Sequence, residues 1–590
     1  FWLKPFWLLL AVGNSNALAM RTLADAGRDR CILTMFFFAS VAIASPTVRV
    51  HSMGTLVGSY DTSETVAIFR GIPYAKAPTG DLRWRAPVPY GPWDSPRDAT
   101  RYGNACPQLI HKPDLPTSEN CLFLNVAAPT SAVNQEWELP VMIYIHGGSY
   151  INGASNFNKP ESLVLRSLSS QHGRDAAVLV VTLNYRLGSF GFLASAQMRS
   201  RSRDGSVGNF GIQDQRRAFE WTAHHIHSFG GRGHDLTIFG ESAGGNSVLN
   251  HLVQQASRGL YGRAIIESGV YEGTPSMADA DICFNQLLAG TQCDNLECLM
   301  HVETEDLLAA TRLVCNAAAN VSRPGGWGPT IDGSTLAGVP QDLIAAGRYN
   351  RHVPVMLGSN RDELSIVTAA EPEDVAQFHW PHNLTEAQLQ GILQEQLDTF
   401  SSVRMEALNR VYAPGTYEYP ANLGEYSPSW WKGTRIFTDG GAPARLALGA
   451  CNVRNTARLL ARGGSPGVYA YLFASPDQGD VHDLNCGNKL TGTGPGNPLV
   501  PHASELPLVF AVNEMLSDEA EVNLARNMSG YWLQFAHKGT PSRQGLPDWP
   551  RFRANDDNVM RFEVPSQGGV RVQRGLRKAA CDFWDTEFVM

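Results

Sequence analysis

Two serines lie in the pattern Gly-x-Ser-x-Gly, which can lift a hydroxyl nucleophile onto a sharp turn for acyl transfer. They are Ser242, in Gly240-Glu241-Ser242-Ala243-Gly244, and Ser465, in Gly463-Gly464-Ser465-Pro466-Gly467. Acyl transfer needs backbone N–H groups to hold the oxyanion, one of them from the residue after the serine. Pro466 has no N–H, so Ser465 reads as a loop serine. Ser242 follows the apolar run Leu236–Phe239 and precedes the helix-like segment Asn246–Gln255, the context such a turn requires. Its glycines permit a bend that a Cβ would crowd. The bland alternative is a structural turn. A second Gly-rich stretch, His146-Gly147-Gly148-Ser149-Tyr150, ends another apolar run. It could supply further oxyanion N–H groups from Gly148 and Ser149, beside that of Ala243; the alternative is an ordinary strand-to-helix turn.

A serine nucleophile also needs a base and an acid that orients it, placed after it in chain order. Val355–Glu363 is a strand-like run ending in two adjacent carboxylates, Asp362 and Glu363. Residue chemistry alone does not separate them. Two histidines follow: His482, flanked by Asp480 and Asp483, and His502, in Pro501-His502-Ala503-Ser504-Glu505-Leu506-Pro507.

These residues need a frame. The chain has 590 residues, 43% hydrophobic and 18% charged, enough to bury a large core and too apolar for a disordered chain. The 48 Lys+Arg against 56 Asp+Glu give a net charge of −8, and no Lys/Arg run interleaves with aromatics; nucleic acid is not an expected partner. The 56 Gly and 35 Pro exclude a coiled coil. Apolar runs at Leu139–Ile145, Ala176–Leu183, Leu236–Phe239, Val353–Leu357 and Val468–Phe473 each end in a Gly-rich or polar turn. Such continuous runs suit strands buried on both faces. Helix-like segments between them, such as Asp214–His227, imply a mostly parallel central sheet with helices on both faces. Segments 280–350 and 365–450 read as helical insertions over the carboxyl edge of the sheet, where sites of α/β folds form.

The first 44 residues read as a leader. Arg28 and Arg30 precede the apolar stretch Cys31–Ala44, which ends in Ala42-Ile43-Ala44, the form of a secretory signal peptide rather than a membrane anchor. Secretion predicts disulfides. The sequence has no Cys-x-x-Cys pair or Cys/His cluster of metal spacing, so no metal is expected. Cys106–Cys121 and Cys293–Cys298 could close short loops, whereas Cys283, Cys315, Cys451, Cys486 and Cys581 cannot be paired from sequence. Asn-x-Ser/Thr sequons at Asn320, Asn383 and Asn527 are candidate glycosylation sites.

Several blocks together resemble the type-B carboxylesterase/lipase family, the cholinesterase-like branch of the α/β-hydrolases, in the manner of its secreted fungal members. They are Ser118-Glu119-Asn120-Cys121-Leu122-Phe123-Leu124-Asn125-Val126, Asn184–Gly188, Gly208–Gln215, and the Ser242 and His502 contexts. The resemblance runs from about Val48 to Trp584 and implies one α/β-hydrolase domain over 45–590. It implies a triad of Ser242, Glu363 and His502, with Asp362 and His482 as fallbacks. It implies an oxyanion hole of Gly148, Ser149 and Ala243, with Ser149 where a third glycine is usual. It also implies ion pairs Arg83–Glu119 and Arg186–Asp214, and disulfides Cys106–Cys121 and Cys293–Cys298. His537 falls where the family has a surface turn. The expected activity is hydrolysis of small carboxylic esters through an acyl-enzyme, with no cofactor and no stable membrane insertion. A lipase on longer acylglycerols, an amide hydrolase, or a non-catalytic adhesion module are the alternatives. The natural ester and the oligomeric state are not legible. The family's cholinesterases carry a key Trp inside the first disulfide loop; residues 107–120 contain none. Trp430-Trp431 lies elsewhere and reads as packing.

The first disulfide loop also argues against a lipase lid. Its 14 residues, Pro107 to Asn120, include three prolines and the polar Gln108, His111, Lys112 and Asp114. An amphipathic helical lid needs more length and fewer breaks. Hydrolysis of tributyrin is therefore expected to rise smoothly through its solubility limit. A sharp jump in rate there would point to a lid built from the later insertions.

Overall fold

The long apolar runs become strands because only a paired backbone can be buried on both faces without stranding its N–H and C=O groups. A computed structural model describes residues 44–108, 115–169, 176–271, 273–315, 326–368, 380–397, 400–440, 448–476 and 498–586. Residues 1–43, most of the expected leader, lie outside these residues; Ser45–Met590 forms one compact unit. In chain order the strands are β1 (Thr47–Val50), β2 (Gly54–Val57), β3 (Ser59–Tyr60), β4 (Val66–Pro73), β5 (Arg97–Asp98), β6 (Phe123–Pro129) and β7 (Leu139–Ile145). They continue with β8 (Leu179–Leu183), β9 (Gly231–Glu241), β10 (Arg263–Glu267), β11 (Val355–Asn360), β12 (Val468–Phe473), β13 (Asn558–Phe562) and β14 (Arg571–Arg574).

Strands β1, β2 and β5 form a small sheet, and the other eleven form one large sheet in the order β3-β4-β6-β8-β7-β9-β10-β11-β12-β13-β14. It is parallel from β8 through β13 and antiparallel at both margins. Alternation along β7 shows the two buried faces. Val141, Ile143 and Ile145 join one core, with Phe219 and Val248 from the helices Phe210–His225 and Ala243–Val253. Met142 and Tyr144 join the other, with Trp532 from the helix Glu519–Lys538. This is the α/β-hydrolase arrangement the sequence implied. The C-terminal hairpin β13–β14 was not legible: β14 is Arg-Val-Gln-Arg, half exposed, with no apolar run. His537, expected in a surface turn, instead sits in the last turn of Glu519–Lys538, its Nε2 3.1 Å from the Ala177 carbonyl.

The insertions are helical, among them Met277–Gly290, Thr304–Leu313, Glu386–Gln396, Ser402–Val411 and Pro428–Gly440. Pro428–Gly440 reaches the carboxyl end of β11, where Arg435 pairs with Asp362 at 2.6 Å. No helix among the described residues is long and apolar enough to cross a membrane. Cys106–Cys121 and Cys293–Cys298 are bonded, as are Cys283–Cys315 and Cys451–Cys581, which sequence spacing could not pair. Cys486 and Asn320 lie outside the described residues. Asn383 is exposed in a turn. Asn527 is half-buried inside Glu519–Lys538, and its sequon partner Ser529 is buried and donates to the Ala525 carbonyl at 2.7 Å, a poor setting for an acceptor.

Both implied ion pairs form. Arg83 holds Glu119 at 2.5 Å and also donates to the Met300 and Val302 carbonyls. Arg186 is bidentate on Asp214, both contacts at 2.7 Å, with the two side chains 3% and 0% exposed. Breaking a buried pair leaves an uncompensated charge, at a cost of about 3–5 kcal/mol. Asp214→Ala is expected to lose stability of that order in urea unfolding. A change under about 1 kcal/mol would show that Arg186 finds water or another partner.

Candidate active site

The site begins where β9 meets the helix Ala243–Val253. Ser242 sits between them at φ 57°, ψ −124°, a region a residue with a Cβ enters only under strain. The turn is tight because its glycines touch backbone. A Cβ on Gly244 would lie 1.9 Å from the Ile145 carbonyl oxygen, and one on Gly240 would lie 2.6 Å from that same atom. The Ser242 N–H donates to the Glu267 carbonyl at the end of β10, 2.9 Å away. Ala243 is the first helical residue, so its N–H belongs to the positive end of the helix.

The Gly-rich stretch after β7 faces this turn. Gly148, Ser149 and Tyr150 all have positive φ, at 99°, 53° and 63°. Ile151 and Asn152 N–H groups close the loop onto the Gly148 carbonyl at 3.0 Å each. A Cβ at Gly148 would lie 2.3 Å from the Asn152 carbonyl oxygen. Gln108, from the first disulfide loop, clamps the loop's far end through Gly153 N (3.2 Å) and Gly153 O (3.0 Å). His146 is buried, stacked on Tyr185 with centroids 4.4 Å apart. Burial brings its pKa down to about 4 against a small opposing bond to the Gly147 carbonyl, so it is a neutral packing group.

His502 gathers the charge. Its Nδ1 lies 2.5 Å from Glu363 Oε2, and its Nε2 lies 3.0 Å from Glu241 Oε1, the residue before Ser242. Glu363 is fixed in turn by the Asn360 N–H, 2.5 Å from its other oxygen. Asp362, the adjacent carboxylate, points elsewhere: it accepts from Arg361, from Arg435 and from the Val500 N–H. The two arginines and that N–H hold its carboxyl below the usual range despite burial. Burial opposes a charge on His502, but the carboxylates of Glu241, then Glu363, then Glu505 push its pKa up to about 10. Burial and the Glu363 charge push Glu505 up to about 7, against the hydrogen bond from Asn360. Burial, then the Glu505 charge, raises Glu267 well above the carboxylate range.

The Ser242 Oγ meets the Tyr271 hydroxyl at 2.9 Å. The structure thus brings Glu363 and His502 together, sets His502 against the residue preceding Ser242, and faces the elbow with the Gly148–Ser149 loop. It does not bring in Ser465, which lies in the turn before β12 with its Oγ 3.3 Å from the Tyr349 hydroxyl. His482 lies outside the described residues. Trp430 and Trp431 are buried in Pro428–Gly440, Trp430 stacked on Tyr426 at 4.1 Å, as packing requires. Sequence reasoning missed the parts played by Glu241, Glu505 and Tyr271. Glu241 and Glu505 sit inside motifs already marked; Tyr271 carries no motif at all.

The model of the Carboxylesterase family matches residues 44–584. The chain belongs to that family. This esterase is 28% identical to acylcarnitine hydrolase of Mus musculus over 92% of its own length and 91% of the relative's. It is 28% identical to acetylcholinesterase of Danio rerio, over 94% and 90%. The crystal structure of a carboxylesterase of Geobacillus stearothermophilus superposes with a TM-score of 0.71 at 26% identity, covering 91% of this chain and all of the other. The α/β-hydrolase fold and carboxylic ester hydrolysis follow from membership.

Proposed function

We propose that this protein cleaves small, soluble carboxylic esters through a Ser242–His502–Glu363 triad. The observation that carries the reading is the 2.5 Å contact of His502 Nδ1 with Glu363, beside an elbow that holds Ser242 at positive φ. In this reading Ser242 Oγ attacks the ester carbonyl and its proton passes to His502 Nε2. The same nitrogen then gives the proton to the departing alcohol. Glu363 fixes the tautomer with the proton on Nδ1 and stabilises the imidazolium. N–H groups of Gly148, Ser149 and Ala243 hold the oxyanion. Water, deprotonated by His502, releases the acid and regenerates the serine.

Secretion is part of the proposal. The leader 1–44 and four disulfides support it, because such bonds persist in oxidising compartments. Asn383, exposed in its turn, is the sequon best placed for glycan.

Ser242→Ala, His502→Ala and Glu363→Ala are expected to lower kcat on p-nitrophenyl acetate by roughly 10⁴–10⁶-fold, with Ser465→Ala and His482→Ala near wild type. Retained activity in His502→Ala with loss in His482→Ala would overturn the base assignment.

The pH profile reads the carboxylates. A base works only when neutral, and the surrounding carboxylates favour the cation. The rise of kcat/KM with pH is therefore expected above the ordinary imidazole midpoint of about 6.5. Glu241→Gln removes the largest of the upward influences and should move that rise to lower pH. An unmoved rise would show that Glu241 does not hold the charged imidazole in the free enzyme.

A further inference from the structure

Tyr271 is absent from the motifs and from the triad chemistry, yet its hydroxyl is 2.9 Å from the Ser242 Oγ. We propose that Tyr271 is a further catalytic residue, a phenol that donates a hydrogen bond to the nucleophilic oxygen. The inference rests on Ser242 being the nucleophile.

The first support is the direction of the bond. A phenol is a much stronger acid than an aliphatic alcohol, so between the two the tyrosine donates and the serine accepts. The Ser242 proton then remains to pass to His502 Nε2, which at rest lies 3.0 Å from Glu241 Oε1. As Oγ gives up that proton it gains alkoxide character, which passes to the carbonyl oxygen once its bond to the carbonyl carbon is complete; the same character returns to Oγ when deacylation expels it. A donor already aimed at Oγ is stronger in that state than at rest, which is what accelerates a step. No proton leaves the phenol: the Ser242 proton goes to His502 and later to the leaving alcohol. In deacylation the tetrahedral intermediate expels Oγ, which takes the proton back from His502 while the same phenol again faces the charged oxygen.

The second support is that the fold fixes this hydroxyl. The segment from Ser268 to Tyr271 follows β10 and starts with Ser268 at φ 48°. Its N–H donates to the Gly358 carbonyl on β11 at 2.9 Å. Gly269 lies so close to the Ser242 helix that a Cβ there would sit 2.4 Å from the Gly245 Cα. The Val270 carbonyl accepts from Asn452 Nδ2 at 2.8 Å, and the Tyr271 carbonyl from Gln341 Nε2 at 2.7 Å. The side chain is 7% exposed. Anchors from β11, Gln341, Asn452 and the elbow helix converge on one short loop, whose visible outcome is a phenol beside the serine. A donor held in advance needs no reorganisation when charge appears.

The test separates this from packing. Tyr271→Phe keeps the ring and removes the donor; Tyr271→Leu removes both. Three readings are taken on each: kcat and KM on p-nitrophenyl acetate, the acetate-to-butyrate rate ratio, and the rate of phosphorylation by diethyl p-nitrophenyl phosphate. Tyr271→Phe is expected to lower kcat and the phosphorylation rate by roughly ten- to a hundredfold, the size of one hydrogen bond to a charged oxygen, with KM, acyl ratio and melting temperature near wild type. Wild-type rates in Tyr271→Phe would overturn the proposal. So would a change confined to the acyl ratio, which would make the ring a wall of the acyl site. Should Tyr271→Phe fail to fold, 3-fluorotyrosine at position 271 keeps ring and hydroxyl and alters only the donor. A shifted kcat with it supports the bond to Oγ, and an unshifted one overturns it. If instead Ser242→Ala retains wild-type turnover, the nucleophile assignment itself fails, whatever Tyr271 does.

Discussion

The site depends on backbones packed closer than any side chain allows. Gly240 and Gly244 meet the Ile145 carbonyl, Gly245 meets the Glu267 carbonyl, and Gly269 meets Gly245. These contacts lock the carboxyl ends of β7, β9 and β10 to the first turn of one helix. Only under that lock can Ser242, which has a Cβ, stand at positive φ. Such a conformation costs about 1–3 kcal/mol and persists where the surroundings over-determine it. Here the surroundings are a buried parallel sheet and the bond from Ser242 N–H to Glu267. The strain projects the hydroxyl out of the turn, toward Tyr271.

Charge makes the next selection. Glu241, Glu363 and Glu505 are fully buried around one histidine, and Glu267, equally buried, lies within reach of the Glu505 charge. Four carboxylates cannot all ionise in so little polarisable surrounding. The structure sorts them by partner: Glu363 has the imidazole and the Asn360 N–H, and Glu241 has the other imidazole nitrogen. Glu267 and Glu505 are pushed toward the neutral form. Asp362 is removed from the competition by Arg361 and Arg435. Two neighbouring residues of like chemistry thus take different roles because arginines from other elements reach only one of them.

That sorting marks the limit of what the sequence discloses. The sheet was legible where strands are buried on both faces, since burial leaves long apolar runs such as Val468–Phe473. The hairpin β13–β14 was not, because its outer strand is polar and half exposed. Ser242 was legible because a sharp turn demands glycine at fixed offsets. Residue chemistry left Glu363 and Asp362 equivalent; resemblance chose Glu363, and the spatial reason lies in Arg435, 73 positions after Asp362 by number (435 − 362). Cys451–Cys581, 130 residues apart, was beyond spacing arguments for the same reason. Tyr271 left no trace, since one tyrosine after a strand resembles any other.

The Gly148–Ser149 loop shows how a departure from the family pattern is accommodated. A serine where glycine is usual should weaken a loop that needs positive φ, and Ser149 does adopt φ 53°, followed by Tyr150 at 63°. The next side chain supplies the compensation. The Tyr150 hydroxyl donates to Asn246 Oδ1 at 2.8 Å, and Ser247 Oγ lies 3.3 Å from the same hydroxyl. Both partners belong to the helix that begins at Ala243. The ring is buried edge-on against Phe192, with centroids 4.9 Å apart. One tyrosine therefore ties the loop after β7 to the helix after β9. In the proposed oxyanion hole, donors from two separate turns can serve one oxygen only if the distance between the turns is fixed. With Tyr150 bridging them, that distance no longer depends on the conformational freedom of a third glycine. Strain at Ser149 is thus held by a bond one residue away.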